Sequence, residues 1–220
     1  MNSKMIPVAV INPDAPPDGL EAKQPEVDNG AEIYGKDGYF SAEQMAKEWD
    51  KVWTQSWLIA GVSADLQEPS DYFLFRMRSE SIIVSKTEDG IKAFYNVCPH
   101  RGARLLTEER GNKKVFVCPF HSWSFRNNGE LRTITDEETF QDAVICHRPG
   151  LTPVACEEHA GIIFISMADD PPTLKDAIGL PEGYLKNYQI DQMRVVRHVR
   201  SEWGSNWKGG GEAFYESYHL

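Results

Sequence analysis

The chain has 220 residues, 41% of them apolar and 25% charged, with a formal net charge of −10. That length accommodates one or two ordinary domains, each with a buried core. Asp and Glu outnumber Lys and Arg 33 to 23 with no basic block, which argues against a nucleic-acid surface, and no run approaches the ~18 consecutive apolar residues of a membrane span.

The opening residues, Met1 to Pro17, lack the basic-then-apolar order of a signal peptide, so a cytoplasmic protein is expected. Residues 1–30 are rich in Pro, Asp and Gly without apolar periodicity and predict an extended or disordered arm. Ser41, with Gln44 three residues on, has capping-box spacing and predicts a helix start. Met45, Trp49, Val52 and Trp53 then recur at i, i+4, i+7 and i+8 as a core-facing stripe. From Tyr72 the pattern changes to short strands: Tyr72–Phe75, Ile82–Val84, Ile91–Phe94, Val115–Val117, Trp123–Phe125 and Ile162–Ile165. Asp89-Gly90 and Asn128-Gly129 supply turns. Such a series predicts a compact antiparallel β domain over 46–167, preceded by an arm and helix start over 1–45. Pro171-Pro172 and Pro181-Glu182-Gly183 read as a connector, and a second unit begins near Gln189, so 168–220 form the third segment.

Two loops within the β domain repeat a Cys/His arrangement: Cys98-Pro99-His100-Arg101-Gly102 and Cys118-Pro119-Phe120-His121-Ser122-Trp123. Each offers one thiolate and one imidazole, so two neighbouring loops can clasp a small metal group from both sides. Bare spacing leaves a mononuclear zinc site open, since zinc also accepts two Cys and two His. Of the other cysteines, Cys146 and Cys156 read as ordinary thiols, one of them packing as a small hydrophobe. His147, His159 and His198 each stand alone and read as surface or hydrogen-bonded residues, not ligands.

The flanking residues carry a resemblance. Cys-Pro-His-Arg-Gly with Cys-Pro-x-His-x-Trp resembles the Rieske [2Fe–2S] motif, which implies Cys98 and Cys118 on one iron and His100 and His121 on the other. Replacing two thiolates by neutral imidazoles raises the potential of such a cluster. The Pro after each Cys and the Gly102 kink suit tight loops whose amide N–H groups can point at sulfur.

The last residues, Asn206-Trp207-Lys208-Gly209-Gly210-Gly211-Glu212-Ala213-Phe214-Tyr215-Glu216-Ser217-Tyr218-His219-Leu220, resemble the start of the catalytic domain in Rieske non-haem iron oxygenases, the large subunits of ring-hydroxylating dioxygenases and related monooxygenases. The resemblance covers residues 35 to 220. It implies an antiparallel β sandwich with two cluster loops, an N-terminal helix and the start of an α+β catalytic domain. It also implies that His219 is the first ligand of a mononuclear Fe(II) site built from two His and one carboxylate. Glu216 stands where the family has the Asp that bridges the two metal centres of neighbouring subunits. By spacing alone, Glu212, Glu216 and His219 make only a solvated helix face.

Several residues depart from the family pattern. Ala213 replaces an Asn, Glu216 is longer than the usual Asp, and Ser122 stands where Gly is common. The glycine triplet weakens a helix by about 1 kcal/mol per residue relative to Ala. The family places a second His and a distant carboxylate beyond the position of Leu220, so the expectation is the N-terminal part of a longer subunit. Further implications are a reductase or ferredoxin donor drawing on NAD(P)H, and a homotrimer or α3β3 assembly. A small organic substrate completes the set, an aromatic ring by default and a quaternary amine as the alternative, because Glu at the bridging position occurs in relatives that demethylate such amines. The competing reading is a stand-alone Rieske electron carrier.

Overall fold

The computed structural model describes residues 35–141, 148–181 and 183–215. The expected N-terminal arm, Cys146, His147, Glu216 and His219 lie outside these residues. Ser41 starts a helix as its spacing predicts: its Oγ accepts the Gln44 amide at 3.2 Å and caps α2 (Ala42–Glu48). A single turn, α1 (Asp37–Phe40), precedes it, and a π-helical turn over Trp49–Trp53 follows. The predicted apolar stripe is not core. Met45, Trp49 and Trp53 are half-buried and Val52 is exposed, while the buried residue of α2 is Glu48.

Ten strands follow: β1 (Leu58–Val62), β2 (Asp71–Met77), β3 (Glu80–Thr87), β4 (Gly90–Tyr95), β5 (Arg110–Asn112), β6 (Val115–Val117), β7 (Ser124–Arg126), β8 (Leu131–Thr133), β9 (Pro153–His159) and β10 (Ile162–Ser166). They form a curled seven-stranded sheet, ordered β1-β10-β9-β4-β3-β2-β5, and a three-stranded sheet, β6-β7-β8, all antiparallel. The antiparallel β reading therefore holds. Four strands (β1, β5, β8 and β9) were not among the predicted segments, although β1 is apolar throughout.

Strands β2, β3 and β4 are buried on both faces. Tyr72, Leu74, Ile83 and Phe94 join Phe116, Phe125, Trp123 and the two loop cysteines in one core. The alternate residues Phe73, Ile82, Val84 and Ala93 face a second core with Val154, Ile163 and Ile165. Burying each large aliphatic or Phe side chain contributes about 1.5–3 kcal/mol, so the double-sided meander is the mechanical base of the molecule. Two-residue turns join its strands. Arg78-Ser79 links Met77 to Glu80 with Arg78 at φ 53°, and Glu88-Asp89 links Thr87 to Gly90 with Gly90 at φ 109°. Asn128-Gly129 turns β7 into β8 as predicted, and there Gly is obligatory: φ is 88° and an added Cβ would lie 2.3 Å from the Phe94 ring.

The expected connector is partly ordered, with α3 (Leu174–Ile178) capped by Thr173 and two short 3-10 turns over Leu185–Tyr188 and Ile190–Gln192. Residues 193–203 are without helix or strand, and α4 (Trp207–Tyr215) ends the described chain. Among the described residues no helix is long and apolar enough to cross a membrane.

Candidate metal centre

The two Cys/His loops share one backbone frame. In the first, the Cys98 N–H donates to the Ala103 carbonyl at 2.8 Å and the Gly102 N–H to the Cys98 carbonyl at 3.0 Å. In the second, Cys118 donates to Trp123 at 2.8 Å and Ser122 to Cys118 at 3.0 Å. The residue four beyond each Cys is left-handed, Gly102 at φ 74° and Ser122 at φ 58°. An added Cβ at Gly102 would meet no atom within 4 Å, so Gly is used there for its φ and not for space. A non-glycine residue in that region costs about 1–2 kcal/mol, which Ser122 carries. On this shared frame the histidines are offset by one position, at the second residue after Cys98 and the third after Cys118.

The frame brings all four predicted ligands together. Cys98 and Cys118 are 1% and 2% exposed and lie in the same buried core cluster. The His100 and His121 rings lie with centroids 4.8 Å apart at 65°. Burial raises the pKa of the Cys98 thiol most strongly. The His100 amide N–H, aimed at the sulfur, opposes it, Cys118 adds to the rise, and the Arg101 amide opposes again. Those two amides are the N–H donors to sulfur that the loop sequence predicts. Burial, followed by the charges of His121, Arg101 and Arg148, lowers the pKa of His100 and keeps its ring neutral, the form that ligates metal.

Buried polar atoms rarely lack a partner, yet His121 Nδ1 is buried with none. A buried imidazole nitrogen without a protein partner, with a second imidazole 4.8 Å away and two buried cysteines on the same pair of loops, fits a two-iron cluster. Among the described residues no three Cys, His, Asp or Glu side chains converge on one mononuclear site. A cluster that takes its ligands two and two does not call for such convergence.

Residues outside the four ligands hold the loops. Trp123, 2% exposed, stacks on His100 with centroids 4.6 Å apart and planes 5° apart, and the Arg148 guanidinium lies 5.4 Å from the Trp123 ring centre. The Trp of the second loop thus fixes the His plane of the first. Thr135 Oγ1 donates to the His121 carbonyl at 2.7 Å. Asn96, 1% exposed, donates to Ser81 Oγ (3.1 Å) and the Leu106 carbonyl (2.7 Å), while its Oδ1 accepts the Leu105 (3.2 Å) and Leu106 (2.9 Å) amides. That side chain ties shut the segment containing the first loop. Trp123 was legible only as part of a motif, and nothing in the sequence marks Asn96 or Arg148 for these roles.

The Asn206-Trp207-Lys208 run, which resembled a catalytic-domain signature, docks on the N-terminal helices. Asn206 caps α4 by accepting the Lys208 amide at 3.0 Å and donates Nδ2 to the Tyr39 carbonyl at 3.0 Å. The Trp207 ring meets Trp53 edge-on at 4.8 Å. Trp207 Nε1 and Lys208 Nζ both donate to the Glu48 carboxylate, at 2.8 and 2.6 Å, and Tyr39 donates its hydroxyl to Glu212. Glu48, which sequence reasoning passed over, is the hub of this contact.

Residues 56–148 match the family profile of the Rieske [2Fe–2S] domain. The chain is 31% identical over 182 residues to the glycine betaine monooxygenase oxygenase subunit of Chromohalobacter salexigens, covering 82% of this chain and 40% of that protein. It is 36% identical over 187 residues to the large oxygenase component of the naphthalene 1,2-dioxygenase system of Pseudomonas aeruginosa, covering 81% and 41%. The apo structure of a quaternary ammonium Rieske monooxygenase superposes with a TM-score of 0.76 at 27% identity, over 85% of this chain and 55% of that one. The chain therefore spans about half the length of the relatives it matches.

Proposed function

Residues 56–148 belong to the Rieske [2Fe–2S] domain family, and from that premise we propose that this chain is the electron-accepting N-terminal part of an oxygenase large subunit. Cys98 and Cys118 hold one iron and His100 and His121 the other. When bound, such a cluster takes up and releases one electron at a time, at a potential raised by its two imidazoles. The protein's part is positional. Trp123 and Arg148 fix the His100 plane, Thr135 anchors the His121 backbone, and the His100 and Arg101 amides donate to the Cys98 sulfur.

Residues beyond the described region extend this reading. His219 serves as one ligand of a mononuclear iron, and the Glu216 carboxylate accepts hydrogen bonds from imidazole N–H groups so as to join the two centres across a subunit boundary. A reductase or ferredoxin supplies the electrons, and the assembly is a trimer of such subunits. The alignment with oxygenase subunits runs well outside 56–148, which favours this reading over a stand-alone carrier. For the substrate, Glu216 in place of Asp and the likeness to a glycine betaine monooxygenase subunit favour a quaternary ammonium compound. The naphthalene dioxygenase relative supports an aromatic ring as the second reading.

The observation that carries the proposal is two buried cysteines of one core, on the same two loops as a pair of adjacent imidazoles, one of which has an orphaned Nδ1. Protein purified without oxygen should be red-brown, with about two irons and two acid-labile sulfides per chain and a rhombic EPR signal after dithionite. Stoichiometric zinc in protein made in iron-replete medium would overturn it.

A further inference from the structure

Glu48 is the buried charge of α2, with a side chain 7% exposed, and an acidic side chain in that position needs partners. Three donors converge on its two oxygens: Gln44 Nε2 at 3.1 Å and Lys208 Nζ at 2.6 Å on Oε1, and Trp207 Nε1 at 2.8 Å on Oε2. Lys208 is itself only 18% exposed, so the pair is shielded from water. Two of the three donors belong to the first turn of α4. Beyond that turn the described polar contact to the N-terminal segment is the Tyr39 hydroxyl donated to Glu212; none of the helix's residues is buried, and Phe214 and Tyr215 are 70% and 81% exposed. The docking of α4 is thus concentrated at its N-terminal end, where the Glu48 carboxylate gathers two donors from one turn, on a helix outside the family-matched region 56–148.

We propose that Glu48 is a positioning residue that fixes the helix leading to Glu216 and His219. The role in electron transfer rests on the reading of those two residues given above; the clamp itself does not. A single carboxylate suits the task because both oxygens accept. An amide in its place would keep one acceptor and turn an NH2 group toward Trp207 or Lys208, leaving two donors facing each other.

The test compares wild type with Glu48→Gln, Lys208→Met and the charge swap Glu48→Lys with Lys208→Glu. In this 220-residue chain, amide hydrogen exchange over 207–215 should accelerate about tenfold or more in both single variants. Exchange in β2–β4 and the visible spectrum of the cluster should stay unchanged, and the swap should recover part of the protection. Unchanged exchange over 207–215 overturns the clamp. In the longer gene product carrying the remaining iron ligands, Glu48→Gln should slow oxygen-driven reoxidation of the pre-reduced cluster about tenfold with cluster content unaltered, because misplacement of a reacting group by about 1 Å is enough for such a loss. Faster exchange with an unchanged reoxidation rate makes the clamp purely structural and overturns the positioning role. His219→Ala, run alongside, separates the two readings. If that variant keeps its mononuclear iron and its rate, the iron assignment fails, while the exchange measurement still judges Glu48.

Discussion

The cluster loops and the C-terminal helix are held by opposite kinds of force. Around the loops, Phe116, Phe125, Cys98, Cys118 and Trp123 sink into a shared apolar core, each at most 2% exposed. Along residues 193–215, Val196, Trp203, Phe214 and Tyr215 are at least 65% exposed, and the anchorage is polar: a carboxylate, an ammonium, an indole N–H and an amide cap. Apolar burial is non-directional and grows with area, so the cluster region closes on itself by packing. Hydrogen bonds to a buried carboxylate fix direction, and two from α4, at Trp207 and Lys208, aim a helix that has little packing of its own. The contrast predicts that the two regions respond separately to substitution and to pH.

The largest effect should come from Cys118→Ser. It removes one thiolate ligand, and the chain should lose its visible absorption and nearly all of the about two irons expected per Rieske cluster. The Trp207–Glu48 contact should survive, as read by unchanged exchange over 207–215; coupled loss of both would show that the regions are not independent. Next is Asn96→Ala. It strands two backbone amides, the Leu106 carbonyl and the Ser81 hydroxyl in a dry interior, and at 1–3 kcal/mol for each group left unsatisfied the loss should exceed about 3 kcal/mol in urea unfolding of the iron-free protein. A loss below about 1 kcal/mol would mean that water reaches those groups.

A smaller and more local effect is expected from acid. The Lys208 ammonium, hydrogen-bonded to Glu48, is the chief cause holding that carboxyl below its usual 4.5; the Trp207 N–H helps, and burial works the other way. Ionised Glu48 therefore favours the docked helix. Its contribution is complete above pH 4.5 and is lost as the pH falls through the lower folded value. Exchange over 207–215 should rise only below that point, ahead of the β core, and a midpoint at or above 4.5 would contradict the geometry. The smallest effect is a gain. Ser122→Gly relieves the left-handed residue of the second loop but gives the unfolded chain more freedom, for a net stabilisation of about 0.5 kcal/mol, visible as a rise of about 1–2 °C in Tm.

The strands that the sequence made legible were those whose apolar runs are bounded by turn residues, such as Ile82–Val84 before Asp89-Gly90. The quartet proposed as cluster ligands, Cys98, His100, Cys118 and His121, could be picked out because metal ligation restricts residue type more tightly than packing does. Strand β9 escaped notice because Pro153, Glu157 and Glu158 break any alternation, and β5 because Arg110, Gly111 and Asn112 pair at an edge with no apolar side chain. Cys156, read as an ordinary thiol, lies mid-strand opposite Ile165, where burial pushes its thiol up to about 12. Glu48 and Asn96 were invisible for a common reason. Each is buried through partners supplied by other segments, Asn96 by Ser81 and Leu105-Leu106 and Glu48 by Trp207 and Lys208, and a polar residue's burial cannot be read without knowing what it meets.

The double-sided burial of β2, β3 and β4 has a consequence for strand alignment. In a sheet with one wet face, a one-residue slip drives apolar side chains into water and is rejected at once. Here Ile82, Ile83 and Val84 face alternate cores, and a slipped β3 would still meet apolar surroundings on both sides. Hydropathy alone therefore distinguishes weakly between the correct pairing and its neighbours. What distinguishes them is side-chain size and the two short turns, with Arg78 and Gly90 at positive φ and Thr87 Oγ1 donating to the Gly90 carbonyl at 2.8 Å. The alignment that places Asn96, and with it Cys98, is thus set at the hairpin tips.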